Sequence, residues 1–271
     1  MTQDIWLATH PYLQPLADVG AGVDAVASEG SFGCANIPKW NDYIDDFHTG
    51  VPLLHSSAIK LDLSSVEAGL VTLAQRLSSK ALPRGLAEEC HTLHSQLLST
   101  PDAPHRAIAR LLDKESAGSE PHAVIQYLGW SVLAYYLRPL VSSFYSWRDE
   151  ERWLRNYCPT CGALPAMAQL TGSDPGRLRM LSCGRCQTRW RYRRTACPFC
   201  ENVNDQRLGV LAVEGEAGLR IDYCEACQGY IKTYNGEGNE TLLLADWTSI
   251  HLDVAASDRG LKRFANSLYH L

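Results

Sequence analysis

The chain has no excess of basic residues: Lys and Arg number 25 against 30 Asp and Glu, for a formal charge of −5. Proteins that coat nucleic acid are usually strongly basic, so that class is disfavoured. A long apolar run is also lacking. The most hydrophobic stretch, Ala123 to Leu137, has 15 residues, contains Gln126 and ends at Arg138-Pro139, whereas crossing a bilayer takes roughly 20. A buried helix is expected there. Met1 to His10 carries Asp4 but no Lys or Arg, and no apolar core leads to a small-residue cleavage pattern, so no secretory leader is expected. No nucleophile elbow, phosphate loop or paired-carboxylate pattern stands out, so no catalytic residue is assigned.

What the chain does have is cysteine, ten in 271 residues. Cys34 and Cys90 stand alone, and the other eight form four Cys-x-x-Cys pairs between Cys158 and Cys227. Without an export signal, that pattern points to metal before disulfides.

The first half reads as helical. Periodicity predicts helices over Leu13–Ala27, interrupted at Gly20 and Gly22, around Val66, Leu70, Leu73 and Leu77 with a Ser64-Ser65 cap, and over Gly85–Leu98 and His105–Ser116. Glu29–Gly33 and Ala117–Glu120 read as loops, and Asp42–His48 as a weak segment. From Pro121 to Arg155 a long helix is expected, apolar nearly all round and interrupted at Pro139, at the centre of an all-α bundle. At Asn156 helical periodicity stops, and strand-like pieces follow at Arg177–Leu181, Thr188–Arg193, Arg207–Val213 and Leu219–Tyr223. Thr241–Leu244 and Asp246–Ser257 read as a final strand or helix.

The cysteine region repeats itself. Cys158 to Cys197 is 39 positions and Cys183 to Cys224 is 41. Cys158-Pro159-Thr160-Cys161 matches Cys197-Pro198-Phe199-Cys200, Leu178-Arg179 matches Leu219-Arg220, Gln187 matches Gln228, and Arg191 matches Lys232. Two tandem copies predict two ligand sets: Cys158, Cys161, Cys183 and Cys186, then Cys197, Cys200, Cys224 and Cys227. A two-residue spacing lets one tight turn aim both sulfurs at a single ion, and a second turn completes a tetrahedron, much as in a zinc ribbon. Interleaved ligation, first pair with third, would break the tandem symmetry. Sites closed by four thiolates leave no open position for substrate, so the ions read as staples of a glycine-rich region with too small a core. Zinc and iron both suit such a site.

Seven arginines (177, 179, 185, 189, 191, 193 and 194) fall within 18 positions, interleaved with Trp190 and Tyr192. Three readings stand: charge compensation, a protein-partner surface, or nucleic-acid binding. Compensation is natural, because residues 151–234 carry 12 Lys and Arg against 8 Asp and Glu, and two four-thiolate sites with divalent ions would add a charge of −4. Arginines 189, 191 and 193 should share one strand face, opposite Trp190 and Tyr192. His91 and His94, one turn apart beside Cys90, read as an ordinary helix face, since no Glu lies between them as in a metalloprotease.

At Cys158-Pro-Thr-Cys-Gly-Ala-Leu-Pro, Cys183-Gly-Arg-Cys-Gln-Thr-Arg-Trp, Cys197-Pro-Phe-Cys and Tyr223-Cys-Glu-Ala-Cys-Gln-Gly-Tyr-Ile-Lys-Thr-Tyr, the chain closely resembles the FdhE family of formate dehydrogenase accessory proteins. Gln228 departs from the pattern, since glycine is commoner after that knuckle. The resemblance implies a cytoplasmic assembly factor, a chaperone and not an enzyme. It implies contact with the catalytic subunit of formate dehydrogenase and two rubredoxin-like iron sites, with zinc as the alternative metal. The expected fold is α+β: a helical domain over 1–155, metal modules with short antiparallel strands over 156–194 and 195–239, and a segment over 240–271 packing on the rest. Homo-oligomerisation is compatible with it. An iron-dependent redox partner of the dehydrogenase, and a dithiol or sulfur-transfer enzyme using a free Cys-x-x-Cys, are the other readings.

Overall fold

The computed structural model describes the chain except residues 30–31, 80–83, 113–122, 174–175, 217, 266 and 270–271. Helices precede and follow a sheet: α1 (Gln3–Thr9), α2 (Gln14–Ser28), α3 (Ile44–Thr49), α4 (Ser64–Ser78), α5 (Arg84–Leu97), α6 (Ala103–Leu112) and α7 (Ala123–Trp147), then β1 (Pro165–Thr171), β2 (Leu178–Cys183), β3 (Arg189–Tyr192), β4 (Leu208–Ala212), β5 (Leu219–Cys224) and β6 (Tyr230–Asn235), then α8 (Glu240–Leu243) and α9 (Ile250–Ser257). The fold is α+β. Two compact units form, one from residues 4–40, 57–147 and 268–271, the other from 1–3, 41–56 and 148–267.

In the helical unit, α4 packs on α2, α5, α6 and α7. Its buried Val66, Leu70, Leu73, Ala74 and Leu77 recur at three- and four-residue intervals, the stripe a core-facing helix needs. Its start is held by Asp62 and not by the expected serine pair: Asp62 Oδ1 accepts from Ser64 N at 3.1 Å and Ser64 Oγ at 2.6 Å, while Ser65 Oγ donates to Phe32 O. α2 runs unbroken through Gly20 and Gly22.

α7 is buried on most sides and continues through Pro139. Ala35 N donates to Tyr136 O at 2.9 Å, next to the carbonyl that Pro139 leaves without its helical donor. The expected helix to Arg155 stops at Trp147. Asp149 Oδ1 takes Glu151 N at 2.9 Å, a local turn that competes with helix. The Ala117–Glu120 loop and the ends at Ser116 and Pro121 lie outside the described residues.

In the other unit, the six strands form one sheet in the order β3-β2-β1-β6-β5-β4, antiparallel except for β1 with β6. Each sequence repeat contributes a three-strand meander, and the first strand of one copy joins the third strand of the other in parallel, Ala168 opposite Thr233. Alternation along the sequence shows the outer strands but not β1 and β6. These two are buried at nearly every position, because the central pair is covered on both faces. The segment after Asn239 is helical, and α9 packs on β5 and β6.

Residues 41–56 pack with the sheet. α3 ends at Gly50, which adopts φ 89° to turn the chain. An aromatic cluster follows: Phe47 stacks on Trp153 at 5.4 Å, and Trp153 meets Tyr157 edge-on at 5.5 Å. The Tyr157 hydroxyl donates to Gly50 O at 2.8 Å. Leu53 N and Leu54 N then donate to Pro159 O and Thr160 O, each at 2.8 Å, strapping this segment onto the first cysteine turn.

Candidate metal centre

The four Cys-x-x-Cys turns share one backbone form. In each, the N–H of the first cysteine bonds the carbonyl five residues on: Cys158 to Ala163, Cys183 to Thr188, Cys197 to Asn202 and Cys224 to Gly229, at 2.8 to 2.9 Å. The residue after the second cysteine is left-handed in all four, at φ 73° for Gly162, 60° for Gln187, 58° for Glu201 and 60° for Gln228. Only the first is glycine, so the turn is imposed on three ordinary residues at some strain. Gln228 makes the same turn as the rest.

These turns gather the eight cysteines into two sets, Cys158, Cys161, Cys183 and Cys186, and Cys197, Cys200, Cys224 and Cys227. The grouping is tandem and not interleaved. In the first set Cys158 and Cys186 Sγ lie 3.5 Å apart, Cys161 and Cys183 3.4 Å, and Cys161 and Cys186 3.6 Å. In the second, Cys197 and Cys227, and Cys200 and Cys224, are each 3.8 Å apart. A tetrahedral ion with metal–sulfur bonds of about 2.3 Å needs sulfur–sulfur edges of about 3.8 Å. The two sets can therefore hold two metal ions, and soft sulfur donors suit zinc or iron.

Backbone N–H groups already point at the sulfurs: Arg185 N at Cys183, Phe199 N at Cys197 and Gly229 N at Cys227, each at 3.4 Å. Such donors stabilise thiolate over thiol. Left to themselves the clustered thiols resist ionising together. Burial pushes Cys158 well above the usual thiol range, and hydrogen bonding with Cys158 does the same to Cys161. Cys183, with Cys158 and Cys161 donating to it, falls well below that range. A divalent cation removes this conflict, because coordination favours all four thiolates.

The two sets differ in burial. All four cysteines of the first are buried, whereas Cys200 is exposed and Cys227 half-exposed. Trp190, fully buried on β3, anchors the first set's module by donating Nε1–H to Arg155 O at 3.0 Å.

The arginine stripe is largely answered within its own unit. Arg179 bonds Ala196 O at 2.9 Å and Asp222 at 3.1 Å, Arg191 pairs with Glu151, and Arg189 donates to Gln169. β3 alternates as expected, with Trp190 and Tyr192 buried. Two of these partners, Asp222 and Glu151, are carboxylates of the same unit. His91 and His94 join no cluster of ligand atoms among the described residues, and burial pushes the Cys90 thiol up to about 11.

Outside the cysteine sets, a buried charge network around Lys232 is not announced by the sequence reading. Lys232, matched by repeat to Arg191, is buried and pairs with Asp246 at 2.7 Å and Asp253 at 2.8 Å. Arg263 bonds the same two carboxylates at 2.7 Å each, and Tyr230 donates to Asp253 at 2.7 Å. Apart from Lys232 and Tyr230 on β6, these residues lie downstream of the repeat, so no motif spacing announces them.

Residues 157–194 match the family model for the FdhE central domain. Curated FdhE homologues from Aquifex aeolicus and Pseudomonas aeruginosa are 33% identical over 130 residues and 35% over 125. Those matches take in 46% and 42% of this chain and 46% and 40% of the relatives, so less than half of either relative's length is spanned. A homologue from Serratia proteamaculans is 25% identical over 233 residues, 78% of this chain and 74% of its own. The crystal structure of the FdhE protein from Pseudomonas aeruginosa superposes with a TM-score of 0.63 at 20% identity, over 95% of this chain and 88% of that one. The fold is FdhE-like, and the resemblance carried by the cysteine motifs extends to the architecture.

Proposed function

We propose that this FdhE-like chain is a non-catalytic accessory protein for the assembly or activation of formate dehydrogenase, acting in the cytoplasm on the enzyme's catalytic subunit. The observation that carries the reading is the pair of closed four-cysteine sets on one sheet, in a chain whose central region matches the FdhE model. Cys158, Cys161, Cys183 and Cys186 would hold one ion and Cys197, Cys200, Cys224 and Cys227 the other. Each would supply tetrahedral cross-linking, with every coordination position already filled by sulfur. The turns, the Leu53–Leu54 strap and the shared sheet then present a fixed surface to a client.

The test is complementation. In a host deleted for its own FdhE-type gene, the wild-type chain should restore formate dehydrogenase activity, and tagged chain should co-purify with the catalytic subunit. Restoration without co-purification would overturn direct binding; no restoration would overturn the accessory role.

The exposed Cys200 favours a second reading, in which iron at that centre exchanges electrons with the dehydrogenase during maturation. Such a role needs iron. Chain loaded only with zinc that still complements would remove it.

A further inference from the structure

We infer that the two centres differ in access, the ion of the second exchanging with soft donor ligands from outside the chain through its Cys200 face while the ion of the first stays enclosed. The inference rests on the reading that both sets hold an ion. It concerns what each set allows to approach.

The first set is covered. The strap from Leu53 N and Leu54 N lies on the Cys158 turn, and a Cβ on Gly162 would come within 2.7 Å of His55, so this side is already filled. Across the set, Thr188 Oγ1 sits 3.2 Å from Cys186 Sγ and donates to Thr160 Oγ1 at 2.8 Å. Both threonines are buried.

The second set is strapped by backbone hydrogen bonds on one turn only, although a side chain also reaches the other. Lys262 N donates to Gln228 O at 2.7 Å and Tyr230 N to Lys262 O at 3.2 Å, which fastens the chain after α9 over the Cys224–Cys227 turn. Phe264 packs against Phe199 at 5.4 Å. The Cys197–Cys200 turn has no backbone strap of this kind among the described residues. Cys200 and Glu201 are exposed there, and Val203 is 63% exposed. A cleft of ≈ 230 Å³, lined in part by Arg179, Phe199, Val210 and Arg220, reaches the buried Cys197 and Cys224 but not Cys200, so access to the ion rests on the exposure of Cys200 itself.

The chemistry is ligand substitution with no electron transferred. With an ion bound, an incoming thiolate or chelator nitrogen would take the coordination position of Cys200 Sγ, and the displaced Cys200 thiolate would be left free to take a proton from solvent buffer or to be alkylated. An incoming ligand needs one sulfur of the set within reach of solvent, as Cys200 is. Only the second centre offers it.

The test loads the full chain with zinc alone, adds excess pyridylazo-resorcinol, and follows zinc release while iodoacetamide traps freed thiols for mass spectrometry. Two equal phases are expected, separated by at least about tenfold, a barrier difference of about 1.4 kcal/mol. Cys200 and Cys227 should be alkylated in the fast phase, with exposed Cys34 labelled from the start as an internal control. Cys200→Ser should abolish or accelerate the fast phase and leave the slow one. Leu54→Pro, which removes one strap donor, should speed the slow phase. A single phase, first labelling at Cys158 or Cys161, or a fast phase unchanged in Cys200→Ser would overturn the inference. Uptake of fewer than two zinc ions would instead overturn the two-ion reading beneath it.

Discussion

Each cysteine turn depends on one left-handed residue, and three of the four positions are filled by Gln or Glu where glycine would sit without strain. Gln187→Gly trades about 1 kcal/mol of left-handed strain for an entropic cost of similar size. Its thermal midpoint and ion content should therefore match wild type. Gly162→Ala combines φ 73° with the His55 contact and should cost about 1–3 kcal/mol, read as a lower midpoint and weaker retention of the first ion. A second residue-scale feature is Asp246. Burial alone would raise its carboxyl, but Lys232 and Arg263 outweigh this and hold it well below the usual range. Because the folded value is depressed, the stability it contributes is present above the unfolded value of about 3.9 and is lost as pH falls below that. Asp246→Asn should flatten the acid limb of a stability–pH curve measured by denaturant unfolding. Lys232→Met leaves the buried Asp246 and the half-buried Asp253 with Arg263 as the one remaining cation of the network and should cost about 3–5 kcal/mol.

Among the elements, the cysteine pairs separate local from distant determinants. Sequence spacing made the tandem grouping legible, since each set is two turns joined by the hairpin of one repeat. Cys158→Ser with Cys183→Ser should remove one ion, and Cys158→Ser with Cys197→Ser should remove both; elemental analysis showing the reverse would mean interleaved ligation. The spacing of apolar positions likewise announced α4, because a helix draws its pattern from neighbours three and four residues away, here Val66, Leu70 and Leu73. β1 and β6 were invisible for the complementary reason: a strand buried on both faces has no alternation to read. The end of α7 was misplaced because Trp153 and Leu154 continue an apolar rhythm, although Trp153 serves the aromatic cluster with Phe47 and Tyr157.

At the scale of the molecule, the chain divides into a sheet unit and a helical unit, each compact in itself. Chelation of both ions should lower the melting of the sheet unit and leave that of the helical unit unchanged. Calorimetry with and without chelator should show two transitions, of which only one moves. Within the sheet the copies share the β1–β6 pair, where Ala168 is buried between Leu181 and Thr233. Ala168→Pro removes a ladder donor in the middle of the sheet and should lower retention of both ions together, measured by native mass spectrometry.

By itself the sequence determined the α+β class, the grouping of eight cysteines into two sets and the turns that gather them, because each depends on residues a few positions apart or on a repeat that doubles the same pattern. Tertiary structure alone decided that the copies fuse through a parallel pair, that residues 41–56 strap the first set, that Lys232 sits in a buried charge network, and that Cys200 is left open. These outcomes come from pairings across long stretches of chain, where hydrogen bonding and packing choose the neighbour and local spacing carries no record of the choice.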